Sequence, residues 1–557
     1  MAGITRRHFL QESVRALAGA PFVFGSRRPG FDLLILGALV YDGTGGDPFP
    51  ADVGIRAGKV AAIGNLAASR AREVIEAKGL ALAPGFVDVH AHTDIELLVD
   101  GRAQSKVQQG VTTEISGNCG ESPFPLLGES GEEQKARWKN RYGIEAEWKT
   151  AGGFLNAVER AGISLNYATL VGHGTLRASA MGLENRPPSE RELARMEVLL
   201  AEALNEGVLG LSTGLEYAPG AFADREELVR LVQKVSSAGA IYATHMRNED
   251  VHLLEAVDEA LDVARRTGCS LQISHFKASQ PRNWPLQEAA LEKIRKASAE
   301  GLKVHIDCYP YTAFGTTAQV LFPIWAREGG GAAFVQRLRD DGLWPQMAAF
   351  AEDKVGNLGG WQNLLLSRIG DSRRSHWQGR RLDELAREQG VEPLALLRDL
   401  LVASGGEVSI VAFAMSESNL EKALAFPLTM VGSDGNAVSP EGPLGQGHPH
   451  PRYYGTFPRV LGLYVRQRKV LTLQEAIHKM TGLPARKFGL RRRGLIREGY
   501  FADLVIFDPD TVADRATFEE PHRFPEGIAL VVVNGIVVVR EGEHTGAKPG
   551  RVLRRFS

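Results

Sequence analysis

The sequence predicts an α/β protein: a (β/α)8 TIM barrel with a small β-sandwich domain built from both chain ends. Three observations predict it. Apolar strand candidates recur through the middle of the chain with amphipathic helical stretches between most of them. Short β pieces with Gly-rich turns occupy both ends. The stretch between the seventh and eighth strand candidates is far too long for one loop and helix.

The strand candidates, in order, are Gly85–His90, Thr112–Gly117, Asn166–Gly172, Leu209–Gly214, Ile241–His245, Leu271–His275, Lys303–Tyr309 and Thr429–Asp434. Such an alternation of strands and crossover helices is the pattern of a barrel. The clearest helices are Ser189–Glu206 and Arg225–Ala238, and the first opens on Ser189 with Glu192 three residues on, a capping-box signal. The barrel is expected over 85–486, with a lid or small domain inserted at 322–403. The end pieces are Phe31–Ile35 and Val53–Arg56 on one side, and Asp503–Phe507 and Leu530–Val539 on the other. The last of these carries an Asn534-Gly535 hairpin turn. Segments 29–84 and 487–557 are therefore expected to close into one β domain.

The 557 residues carry a net charge of −1, with 44% apolar and 24% charged residues. That balance gives no electrostatic reason to expect a nucleic acid partner. No apolar run is long enough for a membrane span. Cys119, Cys269 and Cys308 are too few for a disulfide framework, so any cysteine that matters does so as a thiolate. Residues 1–28 are set apart. Arg6-Arg7-His8-Phe9-Leu10 followed by a weakly apolar stretch resembles a twin-arginine export signal. Export, to the periplasm or beyond, is the expectation; the alternative is an ordinary basic tail on a cytoplasmic protein. Replacing Arg6-Arg7 by Lys-Lys should then retain the protein in the cytoplasm of its host. Unchanged activity in the periplasmic fraction would make the arginine pair incidental.

In a TIM barrel, chemistry sits at the C-terminal ends of the strands. Here the first strand ends Asp88-Val89-His90-Ala91-His92, the fifth Thr244-His245, the sixth Ser274-His275 and the eighth Ser433-Asp434-Gly435. Gly117-Asn118-Cys119-Gly120 follows the second. Residues two apart on a strand point the same way, so His90 and His92 can both aim at one ion. Imidazole and thiolate suit zinc. A lone strand-end histidine is more often a hydrogen-bonded core residue, which is the reading for His173 and His305. A buried cysteine is commonly a small hydrophobe. That reading fits Cys269 and Cys308, but not Cys119 in a loop between glycines.

These motifs, in this order, resemble the amidohydrolase superfamily, and within it the D-aminoacylase (N-acyl-D-amino-acid deacylase) family. The resemblance also rests on Gly210-Leu211-Ser212-Thr213-Gly214, Thr244-His245-Met246-Arg247, Ser274-His275-Phe276-Lys277, Tyr309-Pro310-Tyr311 and Gly455-Thr456-Phe457-Pro458-Arg459. It implies that Cys119, His245 and His275 hold a tight Zn2+. His90, His92 and Asp434 would form a second, weaker metal position, with Asp434 as catalytic acid and base. Lys277, Tyr309 and Arg452 would grip the carboxylate of a small-molecule N-acyl amino acid. Two departures stand out: Gly315 replaces a serine of the family, and the loop from Asp434 to Arg452 is longer than usual.

The reaction expected from this resemblance is hydrolysis of an N-acyl-D-amino acid to a D-amino acid and a carboxylic acid by metal-activated water. Asp434 would take the water proton and return it to the leaving amine. A cyclic-amide or dipeptide hydrolase on the same centre is the alternative. A non-catalytic scaffold would be favoured only if His90, His92 or Asp434 were missing, and all are present.

Overall fold

The computed structural model describes residues 30–556, so the expected export segment lies outside the described residues. Parallel pairing runs from Phe86–Asp88 through Val111–Ser116 to a third strand split into Asn166–Thr169 and Val171–Gly172. It continues through Gly210–Gly214, Ile241–His245, Ser270–Ile273, Val304–Cys308 and Thr429–Val431. The ring closes between the first and eighth strands. There Ala91 bridges Gly435 in parallel, and the Asp434 amide donates to the His90 carbonyl at 2.7 Å. Six of the eight expected strands enclose these segments, and the second and sixth begin one residue earlier than expected, at Val111 and Ser270. They are buried almost throughout, which is why they read as continuous apolar runs rather than as alternations.

The helices between them follow their start signals. In Glu190–Asn205, Ser189 Oγ accepts from the Glu192 amide at 3.3 Å and Glu192 Oε2 accepts from the Ser189 amide at 2.7 Å. Leu193, Met196, Leu200 and Leu204 form the face it buries against the barrel. Arg225–Ser237, capped by Asp224, buries Leu228, Leu231, Val232 and Val235 in the same way.

Both chain ends join one continuous nine-stranded sheet. The junction is antiparallel, with Ala81–Pro84 lying along Leu504–Phe507 so that Leu82 faces Ile506. Leu33, Ile35 and Val53 from one end share a core with Leu504, Ile506 and Val532 from the other. The Asn534-Gly535 turn has φ of +49° and +80°, the two left-handed residues that a tight hairpin requires. The last residues depart from the expected division, because they leave this sheet and return to the barrel. Val552 bridges Tyr167, and the amides of Leu553 and Arg555 donate to Tyr167 and Gly207 at 2.7 and 2.8 Å. Barrel strands begin with unpaired backbone groups, and this segment satisfies them.

The insertion is wider than 322–403 and contains strands. Phe314–Thr317, Leu364–Ile369 and Val408–Ala412 form a separate three-stranded antiparallel sheet. Helices Gly330–Arg339, Trp344–Asn357, Leu382–Gln389 and Pro393–Ala403 pack beside it. Phe322, Phe334, Leu366, Leu397 and Ile410 share its core. Its first strand pairs with its last, Phe314 opposite Ala412. The insertion is thus tied at its base by strands that a search for helices passes over.

Candidate metal centre and substrate pocket

The C-terminal rim gathers the expected donors. Cys119 Sγ lies 3.4 Å from His90 Nε2 and 3.5 Å from His275 Nε2. His92 Nε2 lies 3.0 Å from Asp434 Oδ1, and His90 Nε2 is 3.6 Å from the same oxygen. The His245 and His275 rings meet edge to face at 4.4 Å between centroids. Three sets of donor atoms are close enough to share an ion: His90, Cys119 and His275; His90, His92 and Asp434; and His245, Glu249 and His275. These overlap through His90 and His275 into one cluster. It contains all six expected ligands and adds Glu249.

The backbone is bent to make this possible. Cys119, His275 and Asp434 have φ of +52°, +34° and +49°, a left-handed conformation that costs a non-glycine residue free energy. Such strain persists only where the surroundings hold it. Gly117 and Gly120, also left-handed, allow the Cys119 loop to lie against neighbouring strands. A Cβ on either would come within 2.2 Å of the Leu170 carbonyl or 2.6 Å of the Gly214 amide. Asn118 ties the loop by donating to the carbonyls of Ile115 and Ala91 at 3.0 and 3.3 Å. The Asp434 turn is held by a buried ion pair. Lys106 Nζ donates to Asp88 Oδ2, Ser433 Oγ and the Gly435 carbonyl at 2.7–2.8 Å. Asp88 Oδ1 in turn accepts from the Ser433 and His90 amides.

The imidazoles are oriented from behind. Asp307 Oδ1 sits 3.2 Å from His90 Nδ1 and accepts from the His275 amide at 2.8 Å. Glu249 Oε1 lies 2.8 Å from His275 Nδ1, and its other oxygen pairs with Lys277. Glu216 Oε2 lies 3.3 Å from His245 Nε2, while His245 Nδ1 is buried with no hydrogen-bond partner. A buried, unpartnered imidazole nitrogen in a cluster of thiol and imidazole is what a metal ligand looks like without its ion. The donor set therefore fits a soft-to-borderline divalent metal. Burial alone would raise the Cys119 thiol, but the His90 and His275 imidazoles hold it well below the usual thiol range. Burial likewise opposes charge on Asp434, yet Arg452, His92 and His90 keep its carboxyl well below the usual carboxylate range.

A pocket descends from this cluster. Lys277 and Tyr309 line it, and Arg452 Nη1 stands 3.1 Å from Asp434 Oδ2 with its guanidinium 4.7 Å from the centre of the Tyr309 ring. The three expected substrate contacts thus converge beside Asp434. Gly315 opens onto the same spot, and a Cβ there would rest against Arg452 Nη2 at 3.6 Å, an ordinary contact. The insertion supplies the far wall through Phe314, Val320, Leu321, Leu358 and Ile410. It also supplies Lys354, which donates to Asp250 at 2.6 Å. His173 is buried against Glu227 at 2.7 Å, outside the cluster as expected. His305 also lies outside it, but its Nδ1 makes no hydrogen bond, contrary to the expected bonded core histidine. Burial and the Lys487 charge push its pKa down to about 3, so it stays neutral.

The sequence reading missed Asp88, Lys106, Asp307, Glu216, Glu249 and Lys354. Asp88 opens the Asp-Val-His-Ala-His run, Asp307 comes two residues before Tyr309, and Glu249 lies four residues after His245. Their proximity in sequence to the ligands was the available signal.

A parallel barrel with thiol, imidazole and carboxylate donors on its C-terminal rim, opening on a pocket with fixed cations, defines a metal-dependent hydrolase. Comparison with known proteins makes the assignment narrower. The amidohydrolase family profile matches residues 73–539. An N-acyl-D-glutamate deacylase of Alcaligenes xylosoxydans xylosoxydans is 37% identical over 526 residues, 94% of this chain and 96% of that protein. A D-aminoacylase of the same organism is 36% identical, over 94% of this chain and 98% of its own. Among solved structures, an N-acyl-D-glutamate deacylase from Bordetella bronchiseptica, complexed with zinc and a phosphonate mimic of the tetrahedral intermediate, superposes with a TM-score of 0.79. It is 33% identical and covers 94% of this chain and 99% of that one. A D-aminoacylase studied for its binuclear metal centre superposes at 0.78 with 35% identity, over 94% and 100% of the two chains. The chain belongs to the amidohydrolase family, in its D-aminoacylase branch.

Proposed function

We propose that this protein hydrolyses the amide bond of N-acyl-D-amino acids with uncharged side chains, releasing a D-amino acid and a carboxylic acid. The observation that carries the reading is that Lys277 and Tyr309 line the pocket beside Asp434 while Arg452 packs against both Asp434 and Tyr309. This arrangement provides a carboxylate clamp next to a group able to move protons. Cys119, His245 and His275 would hold a tight zinc, and His90, His92 and Asp434 a second, weaker metal position. When bound, the metal would make water nucleophilic at neutral pH and polarise the amide carbonyl.

The protein's own residues supply the rest. Asp434, ionised beside Arg452, accepts the proton lost by the attacking water and passes it to the leaving nitrogen. Arg452 and Lys277 neutralise the substrate carboxylate, which would otherwise be costly to bury, and Tyr309 adds a hydroxyl. Buried Glu249 keeps Lys277 charged and directed into the site.

The side-chain preference follows from how the pocket's charges pair. Glu249 pairs with Lys277, Asp250 with Lys354 and Asp434 with Arg452. Lys277 and Arg452 are taken up by the substrate's own carboxylate, the other lining cation, Lys354, is held between Asp250 and Glu216 at 2.6 and 3.8 Å, and the wall from the insertion is apolar. A screen of N-acetyl-D- and L-amino acids, with metal analysis of the same preparation, tests the reading. D-Leu, D-Met and D-Phe derivatives should be cleaved well ahead of D-Glu, D-Asp and all L-forms. Cleavage of hydantoins or dipeptides without turnover of any N-acyl-D-amino acid would overturn it.

Arg452→Ala probes the clamp. KM for an N-acetyl-D-amino acid should rise about 30- to 4,000-fold, equivalent to roughly 2–5 kcal/mol for losing one partner of a buried charged pair. The matching substrate with its carboxylate blocked as an amide should show little change in KM. Equal losses on both would leave Arg452 as a partner of Asp434 and no more.

A further inference from the structure

A second pocket lies at the opposite end of the barrel, at Leu209 just before the fourth strand. It is formed between the turn around 489–493 and the returning C-terminal segment, and it has a volume of about 110 Å³. Five arginines line it, Arg491, Arg493, Arg551, Arg554 and Arg555, around the Phe501 ring, and no carboxylate of the described residues does. The chain as a whole carries 65 Lys and Arg against 66 Asp and Glu, so this one-signed lining does not follow from composition.

Two of the five are neutralised outside the pocket. Arg493 pairs with buried Asp503, and Arg554 reaches Glu159 at 3.0 Å. Arg491 and Arg551 are exposed and make no ion pair among the described residues. Arg551 and Arg493 place their guanidinium carbons 5.6 and 4.2 Å from the centre of the Phe501 ring. Arg555 donates to the carbonyls of Ala238 and Leu204, yet keeps a buried Nε with no partner. Guanidinium groups converging on one cavity repel one another unless an anion joins them. Their planar forks match phosphate oxygens two at a time.

We propose that this pocket binds a small, soluble oxyanion of the phosphate class carrying two negative charges, at a site separate from the metal centre. Three of the arginines lie on the C-terminal segment that pairs with Tyr167 and Gly207. The bound anion therefore clamps that segment to the barrel and stabilises the fold by mass action.

The test is isothermal titration of the metal-loaded full-length protein with inorganic phosphate at constant ionic strength. Wild type, the double variant Arg491→Gln/Arg551→Gln and Arg452→Ala are compared. Both substituted arginines of the double variant are exposed, so its fold and its turnover of an amide substrate should be unchanged. The expected result is one saturable site whose affinity falls at least tenfold in the double variant and is unaffected by Arg452→Ala. Absence of saturable binding, or equal affinity in the double variant, overturns the proposal. So does loss of binding with Arg452→Ala, which would put the anion at the catalytic rim.

Discussion

Asp434→Asn is expected to bind substrate and to turn over at least about 10⁴-fold more slowly. Removing one general acid or base typically costs about 10²–10⁴-fold. Here one carboxylate is assigned both proton transfers, so the loss falls at or beyond the upper end, roughly 5 kcal/mol or more in the barrier. The substitution is well matched to the site. Asp434 sits at φ +49°, a conformation that asparagine tolerates better than most residues, so the turn should survive. The amide keeps the contact with His92, which lies 3.0 Å from Oδ1, and loses the charge, with its ion pair to Arg452, and the proton acceptor. The Asp88–Lys106–Ser433 network is untouched, so the first and eighth strands stay registered. Pre-steady-state binding, metal content and kcat should be measured on one preparation. Near wild-type kcat would end the assignment. A fall in kcat that tracks loss of metal would make Asp434 a ligand first and a proton carrier second.

Much of this site was legible because a barrel concentrates its chemistry at strand ends. Given the strand order, reading only the C-terminal residue of each strand brings His90, His92, His245, His275 and Asp434 together. Parallel pairing does place them on one rim. Cys119 was legible for a different reason, because glycines on either side of a polar loop signal tight backbone rather than core packing. What was not legible depends on partners distant in sequence. Nothing in the sequence around Lys106 marks it as buried, and only the closed ring shows it between Asp88 and Ser433. Glu216 and Lys354 meet only because the insertion folds back over the rim, bringing Lys354 Nζ within 3.8 Å of Glu216. No periodicity encodes that return. The base of the insertion was misplaced for a related reason, since the pairing of Phe314 with Ala412 joins short strands at its two ends. The left-handed φ of Cys119, His275 and Asp434 was equally invisible, because a strained backbone leaves no mark on residue type except at the glycines beside it.

Cys119→Ala is expected to lose most of the bound metal and, with it, nearly all activity, while the fold survives. The thiol lies between the Nε2 atoms of His90 and His275, at 3.4 and 3.5 Å, and is the only sulfur in the donor cluster. Held well below its ordinary range by those imidazoles, it is ready as a thiolate at neutral pH. The two other cysteines supply the control. Burial pushes Cys269 up to about 11 and Cys308 up to about 12, so both stay neutral thiols in packed surroundings. Cys269→Ala and Cys308→Ala should therefore change metal content little, although each removes a buried sulfur. Alanine is the right replacement at 119, since it keeps a Cβ at φ +52° and adds no new strain. The loop remains anchored by Asn118, whose amide group bonds the Ile115 and Ala91 carbonyls without the sulfur. Elemental analysis after dialysis against a weak chelator decides the matter, with circular dichroism confirming the fold. Wild-type metal content in Cys119→Ala would remove the thiolate from the ligand set. The tight site would then rest on His245, His275 and Glu249, the remaining group of close donors that does not involve Asp434. Two imidazoles and a carboxylate would still suit zinc, but without the thiolate's preference for soft ions. The choice between those two donor sets also predicts the preferred ion. With Cys119 as a ligand, cadmium should displace zinc readily. Without it, cadmium should have no such advantage over zinc.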